Sequence, residues 1–151
     1  MSKAKAFDFD ELDLEALCDQ PFEFEIVHPD SEEGLGVFVS VVGSQSATYQ
    51  KFLREEQNKQ RKDAFEAQRK GTDTEKPRAV EDDEDTLCRA VAASMKGWRS
   101  VIDGESKPVI MWGGKGLEFT AHNAVLWLKK FRWVRAQVNK QTGELGNFIK
   151  R

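Results

Sequence analysis

With 151 residues the chain has room for one ordinary domain, or for a small domain with an extended arm, and two large domains are excluded. Hydrophobic residues at 39% beside 32% charged residues set the apolar content below the usual share, so part of the chain is expected to stay outside the core. The net charge of −3 argues against strong phosphate affinity, yet it hides a gradient: residues 1–43 hold two Lys and eleven Asp/Glu, whereas residues 101–151 hold nine Lys/Arg and four Asp/Glu.

The ends should therefore attract each other or find oppositely charged partners. Met1 to Ala6 runs straight into the acidic stretch Asp8 to Glu15 without an apolar core, so no secretory signal is expected. No run approaches the roughly eighteen apolar residues that a membrane span needs. Phe7 to Leu17 is a short acidic helix or an extended acidic strip, with a helical turn preferred. Phe22 to Val27 then alternates apolar and charged residues with period two, as a half-buried strand requires. After the turn-prone His28 to Gly34, Val37 to Val42 supplies a second strand rich in β-branched residues. Together they form a hairpin, which alone is marginal in water and must pack on helices, a third strand or another chain.

Gly43 ends the second strand, and Ser44 or Ser46 caps a helix that continues without Gly or Pro to Lys70. Tyr49, Phe52 and Leu53 give its first third a buried side. Beyond Arg54 only Ala64, Phe65 and Ala67 are apolar, so that half should project into solvent or await a partner. Residues 71–85 are a linker by composition, and their acidic run Glu81 to Asp85 favours the positive N-terminal end of the helix that follows. Leu87, Val91, Met95 and Trp98 then fall at i, i+4, i+8 and i+11, among the small Cys88, Ala90, Ala92 and Ala93. This pattern predicts a helix from Thr86 to Lys96 that ends near Trp98. Asp103-Gly104 marks a turn, Val109 to Trp112 a short strand or buried loop, and Gly113, Gly114 and Gly116 a flexible connector. Thr120 caps a last helix drawn to about Asn139, in which Trp127, Phe131, Val134 and Val138 share one face while Lys129, Lys130, Arg132 and Arg135 occupy the others. Thr142-Gly143 closes it before a tail from Leu145 to Arg151.

No catalytic constellation emerges, and neither a cofactor nor a metal is expected. Cys18 and Cys88, the only cysteines, lie in no ligand spacing, which fits a reducing, cytoplasmic setting. A zinc site would need them to converge with His28 and His122 from unrelated elements. Gly113-Gly114-Lys115-Gly116 fails the phosphate-loop pattern, because Lys115 is followed by Gly116 where Ser or Thr is required. Glu23 and Glu25 share a strand face that is most simply solvated. The basic, aromatic last helix offers an alternative function, a small nucleic-acid-binding or regulatory protein. Its aromatics, however, stand at core spacing, and the overall acidity opposes it.

An acidic start leading into Pro21-Phe22-Glu23-Phe24, then Gly36-Val37-Phe38-Val39-Ser40-Val41-Val42-Gly43-Ser44, Ala92-Ala93-Ser94-Met95-Lys96-Gly97-Trp98, Leu117-Glu118-Phe119-Thr120-Ala121-His122-Asn123-Ala124, Gln137-Val138 and Phe148-Ile149 follow in an ordered series. In this series the chain resembles the tail assembly chaperones of long-tailed bacteriophages. The resemblance covers Phe7 to Phe52 and Thr86 to Ile149; the polar helix beyond Arg54 and the segment Val109 to Gly114 depart from it. It implies a non-enzymatic factor, absent from the finished virion, that coats the tape measure protein, keeps it soluble in the host cytoplasm and helps tail tube subunits polymerise around it. It also implies a longer product of ribosomal frameshifting that recruits tube protein.

Residues and resemblance converge on an apolar face bordered by cations. Trp98, Trp127, Lys130, Phe131, Trp133, Arg135, Val138 and Phe148 are its candidates, and plain core packing is the competing reading for the apolar ones. The cations could equally steer the acidic N-terminus of another copy, which would give a homo-oligomer. The expected fold is α+β: an N-terminal β-hairpin followed by a mainly helical part with a long polar helix and two amphipathic helices. Its segments are 1–70, the linker 71–85, and 86–151, the last forming one compact domain with 1–53. A mostly helical protein without a stable hairpin is the alternative.

Overall fold

A computed structural model of the chain describes residues 6–69 and 80–149. The fold is α+β, and the early hairpin is present. β1 (Phe22–Val27) and β2 (Gly34–Val41) pair antiparallel with Phe24 opposite Val39. Alternation then sorts the side chains: Phe22, Phe24, Ile26, Val37, Val39 and Val41 face the core, while Glu23 and Phe38 lie on the opposite face.

The acidic start is helical, as preferred. A 3-10 turn (Phe9–Leu12) and α1 (Leu14–Cys18) are capped by the carboxylates of Asp8 and Asp13. α2 (Ala47–Arg69) begins where expected, with Ser46 Oγ accepting from Tyr49 N at 3.1 Å. Asp19 adds a second tie, accepting from the Thr48 hydroxyl at 2.7 Å. From Gln57 to Arg69 every residue of α2 is exposed.

The structure departs from the expected elements most between residues 80 and 118. α3 spans Val80–Ser94, so the linker predicted to reach 85 ends earlier and Asp83, Glu84 and Asp85 sit in the helix; residues 71–79 lie outside the described residues. Its buried face is Cys88, Val91 and Ala92, and Leu87 is 44% exposed. Trp98 does not end this helix. The chain turns at Met95 into β3 (Met95–Ile102), which inserts beside β2 with Trp98 opposite Val39 and Ser100 opposite Val37. The helical spacing of Leu87, Val91, Met95 and Trp98 was a coincidence of two elements in sequence. Pairing on both sides fixes the strand, since β4 (Glu105–Lys107) returns alongside it through Asp103-Gly104, giving the sheet order β1-β2-β3-β4.

Val109 to Trp112 is a strand, β5, paired with β6 (Lys115–Glu118) in a separate hairpin beside β3. Gly113 and Gly114, expected as a loose connector, form its tight turn: their φ values of +63° and +78° suit the two central positions of a type I′ turn.

The last helix is two. α4 (Ala121–Lys130) starts at Thr120, whose Oγ1 accepts from Asn123 N at 3.0 Å. Phe131 leaves helical geometry at φ −110°, ψ 81°, and α5 (Arg132–Gly143) continues in a new direction before the short α6 (Gly146–Ile149). The Phe131 ring meets Trp112 edge-on at a centroid distance of 5.3 Å. Phe131 O accepts from Val134 N and Arg135 N, so the broken turn keeps its backbone bonds.

One core results, in which α3, α4 and α5 cover the inner face of the sheet. Trp98, Phe119 and Trp127 meet edge-to-face at its centre, Trp98 lying 5.2 Å from Phe119 and 5.1 Å from Trp127. At the sheet's β1 edge, the Gln137 side chain of α5 accepts from Val27 N at 3.0 Å and donates to Val27 O at 2.8 Å. On the outer face Arg99 grips Glu23 through two hydrogen bonds, 2.7 and 3.0 Å, and lies 4.1 Å above the centre of the Phe38 ring. These bonds hold the Glu23 carboxyl below its ordinary range.

Candidate interaction site

The eight side chains proposed as one partner-binding face are divided by the fold. Trp98, Trp127, Val138 and Phe148 are core. The Trp98 indole donates to Leu117 O at 3.0 Å, and Phe148 packs edge-on against Phe22. Trp127 of α4 and Val138 of α5 are buried in the core under the sheet, where Trp98 comes from β3 and Phe148 from α6. Phe131 is half-buried, Trp133 is 37% exposed, and Lys130 lies in the open.

Arg135 is largely covered and belongs to an ionic seam. Its guanidinium reaches Glu84 and the Cys88 sulfur, each at 3.2 Å, and Arg132 meets the same Glu84 oxygen at 3.2 Å. Asp85 pairs with Lys129 at 3.0 Å and with Arg89 at 3.1 Å, while Arg89 is also held by Glu56 at 2.9 Å. The acidic start of α3 thus neutralises three of the four cations predicted for the last helix. Hydrogen bonding to Arg135 lowers the Glu84 pKa, and the Lys129 ammonium does the same for Asp85.

Apolar concavities lie at two places among the described residues. The larger, about 450 Å³, lies between α2, α3 and α4. Ala92 and Ala93 form one wall, Ala121 and Val125 the other, and Phe52 closes an end, with Asp85, Arg89 and His122 also lining it. Small side chains on facing helices leave this gap because nothing long fills the space between their backbones. A polar hollow of about 250 Å³, lined by Glu56, Lys59, Gln60, Asp63 and Thr86, shares Asp85 and Arg89 with it. The second concavity, about 170 Å³, sits at the α4–α5 elbow between Ile26, Val37, Ile110 and the exposed Leu35, Met111 and Trp133, with Trp127, Phe131 and Val134 completing it.

Sequence reasoning named Phe131 and Trp133 among eight candidates, with core packing as the competing reading, and missed the alanine cleft. The signal existed in the small Ala92 and Ala93 and in Phe52, assigned to a buried side. That Ala121 would face them is a tertiary fact that no local spacing encodes.

The histidines do different local work. His28 Nδ1 accepts from Asp30 N and Ser31 N at 3.1 and 3.2 Å, holding the β1–β2 turn. His122, in the first turn of α4, faces the cleft. Among the described residues no group of three His, Cys, Asp or Glu side chains is placed to hold a metal, and no helix is long and apolar enough to cross a membrane. The site offers apolar surface, an ionic border and shape. Comparison with protein families, with curated proteins and with solved structures gives no match for this chain.

Proposed function

We propose that the chain is a non-enzymatic tail assembly chaperone, which holds a helical segment of the tape measure protein in the alanine cleft, keeps that protein soluble in the host cytoplasm and promotes tail tube polymerisation around it. The cleft between α2, α3 and α4 carries this reading. Ala92, Ala93 and Ala121 let another helix approach closely, Phe52 and Val125 supply apolar contact, and Asp85 and Arg89 stand where the polar flank of an amphipathic helix would meet them. A long helical protein that exposes apolar stripes before assembly fits such a groove.

The resemblance in sequence order supplies the partner's identity, with tube protein reached through a frameshifted longer product. The nucleic-acid reading loses support from the ionic seam, because Lys129, Arg132 and Arg135 already face carboxylates.

Co-expression with a tape measure protein tests the proposal. A soluble complex is expected, and Ala93→Trp, which fills the cleft, should weaken it by about tenfold, the equivalent of about 1.4 kcal/mol. A partner that stays insoluble beside the wild-type chain, or a complex indifferent to Ala93→Trp in a variant of unchanged circular dichroism, would refute it.

A further inference from the structure

We infer that the outward face of α2 binds single-stranded nucleic acid, a row of cations following the phosphates while Phe65 stacks on a base. At about 3.6 residues per turn, Lys51, Arg54, Arg61, Lys62 and Arg69 fall within an arc of about 100°, and the row runs along about 27 Å of helix. Phe65 stands inside that arc, 64% exposed, and all five cations are exposed as well. Phe52, Glu56 and Asp63, which line the hollows against α3, lie on nearly the opposite side of the helix.

The row is set apart by what the molecule does with its other cations. Arg89, Arg99, Lys129, Arg132 and Arg135 each meet a carboxylate at 3.2 Å or less. Among the described residues none of the five on α2 does so. A line of uncompensated cations gains most from a line of anions, and a nucleic-acid strand is one, since each phosphate neutralised releases a counterion.

An exposed aromatic ring among the cations supplies the other half of such a site. Every base has a π-face, so a ring on a cationic track holds a strand without reading its sequence. An acidic polypeptide would answer the charge but offer nothing flat to Phe65, and fits the face less completely. Because the helix is already formed, docking orders side chains only. Glu55 and Glu66 border one margin of the row, and they and the net charge of −3 oppose the approach of a polyanion. Affinity therefore belongs in the range of about 1 to 100 µM at low salt.

Fluorescence anisotropy of a labelled oligothymidylate of about 20 nucleotides, titrated with the full chain, tests this. At about 20 mM salt binding should saturate, and log affinity should fall with log salt at a slope of about −2 to −3.5, as about three to five phosphate contacts on a single strand require. Arg61→Gln combined with Lys62→Gln should weaken binding about tenfold or more and reduce the slope by about 1.4. Phe65→Ala should weaken it about tenfold and leave the slope unchanged. Arg132→Gln removes a cation that Glu84 already holds and should change affinity less than about twofold. All these positions are exposed, so circular dichroism should stay that of the wild type. A chain that leaves the anisotropy unchanged up to about 500 µM, or α2 variants that bind like wild type or no worse than Arg132→Gln, would overturn the inference. So would an oligoglutamate of equal charge that competes as well as unlabelled oligothymidylate, which would mark the face as one for acidic protein. None of these outcomes depends on a tape measure protein or on the alanine cleft.

Discussion

Three successive amides after β2 bind the sheet to three helices: Val42 N donates to Ser94 O at 2.7 Å, Gly43 N to Cys18 O at 2.7 Å, and Ser44 N to Thr142 O at 3.0 Å. The middle residue is glycine for reasons of space. A Cβ on Gly43 would stand 2.7 Å from Cys18 Cβ, 2.8 Å from its sulfur and 3.2 Å from the Phe148 ring. Neither backbone nor buried ring can retreat cheaply, so Gly43→Ala is expected to cost about 1 to 3 kcal/mol through overpacking. Urea denaturation should show this as a lower midpoint with an unchanged slope. Trp98 makes a different demand, because its indole N–H answers the Leu117 carbonyl. Trp98→Phe keeps a ring but removes that bond, and a loss of about 0.5 to 1.5 kcal/mol in thermal or urea unfolding is expected.

Between elements, the ionic seam ties α3 to the elbow of α4 and α5. Glu84 and Asp85 titrate below their ordinary values of 4.5 and 3.8 because Arg135 and Lys129 hydrogen-bond to their charged forms. A carboxylate held low in the folded state binds fewer protons than in the unfolded state, so its contribution is present above the unfolded value and fades as pH falls through the folded one. Stability should therefore drop from about pH 5 downward, and Glu84→Gln with Asp85→Asn should flatten that slope; the urea midpoint measured against pH decides. The seam also explains what the sequence could and could not disclose. Alternation in Phe22–Val27, the Ser46 and Thr120 caps and the Asp103-Gly104 turn are local signals, and the chain obeys them. β3 was hidden because Met95 and Trp98 continued the helical spacing of α3 by chance. The break at Phe131 has no Gly or Pro to announce it. In the candidate site, the spacing did not separate the partly open Phe131 and Trp133 from Trp98, Trp127, Val138 and Phe148, whose burial depended on a sheet wider than the hairpin.

Across the whole molecule the charge gradient is resolved in an unexpected way. The C-terminal cations answer the acidic start of α3, and the N-terminal acids contribute chiefly Glu23, which meets Arg99. Stability is correspondingly uneven: β2 and β3 lie inside the sheet, while Gln57 to Arg69 of α2 stand in solvent. Hydrogen exchange should find the slowest amides in β2 and β3 and exchange faster by about a hundredfold or more in the outer half of α2, as local opening predicts. Equal protection along α2 would show that half to be buried in solution. The Gln137 amide at Val27 governs what the molecule refuses. Its carbonyl and amino groups occupy the outward-facing donor and acceptor at that end of β1, the two valences through which a foreign strand would begin to zip onto the sheet. A strand added at this edge would have to displace that side chain before pairing with Val27.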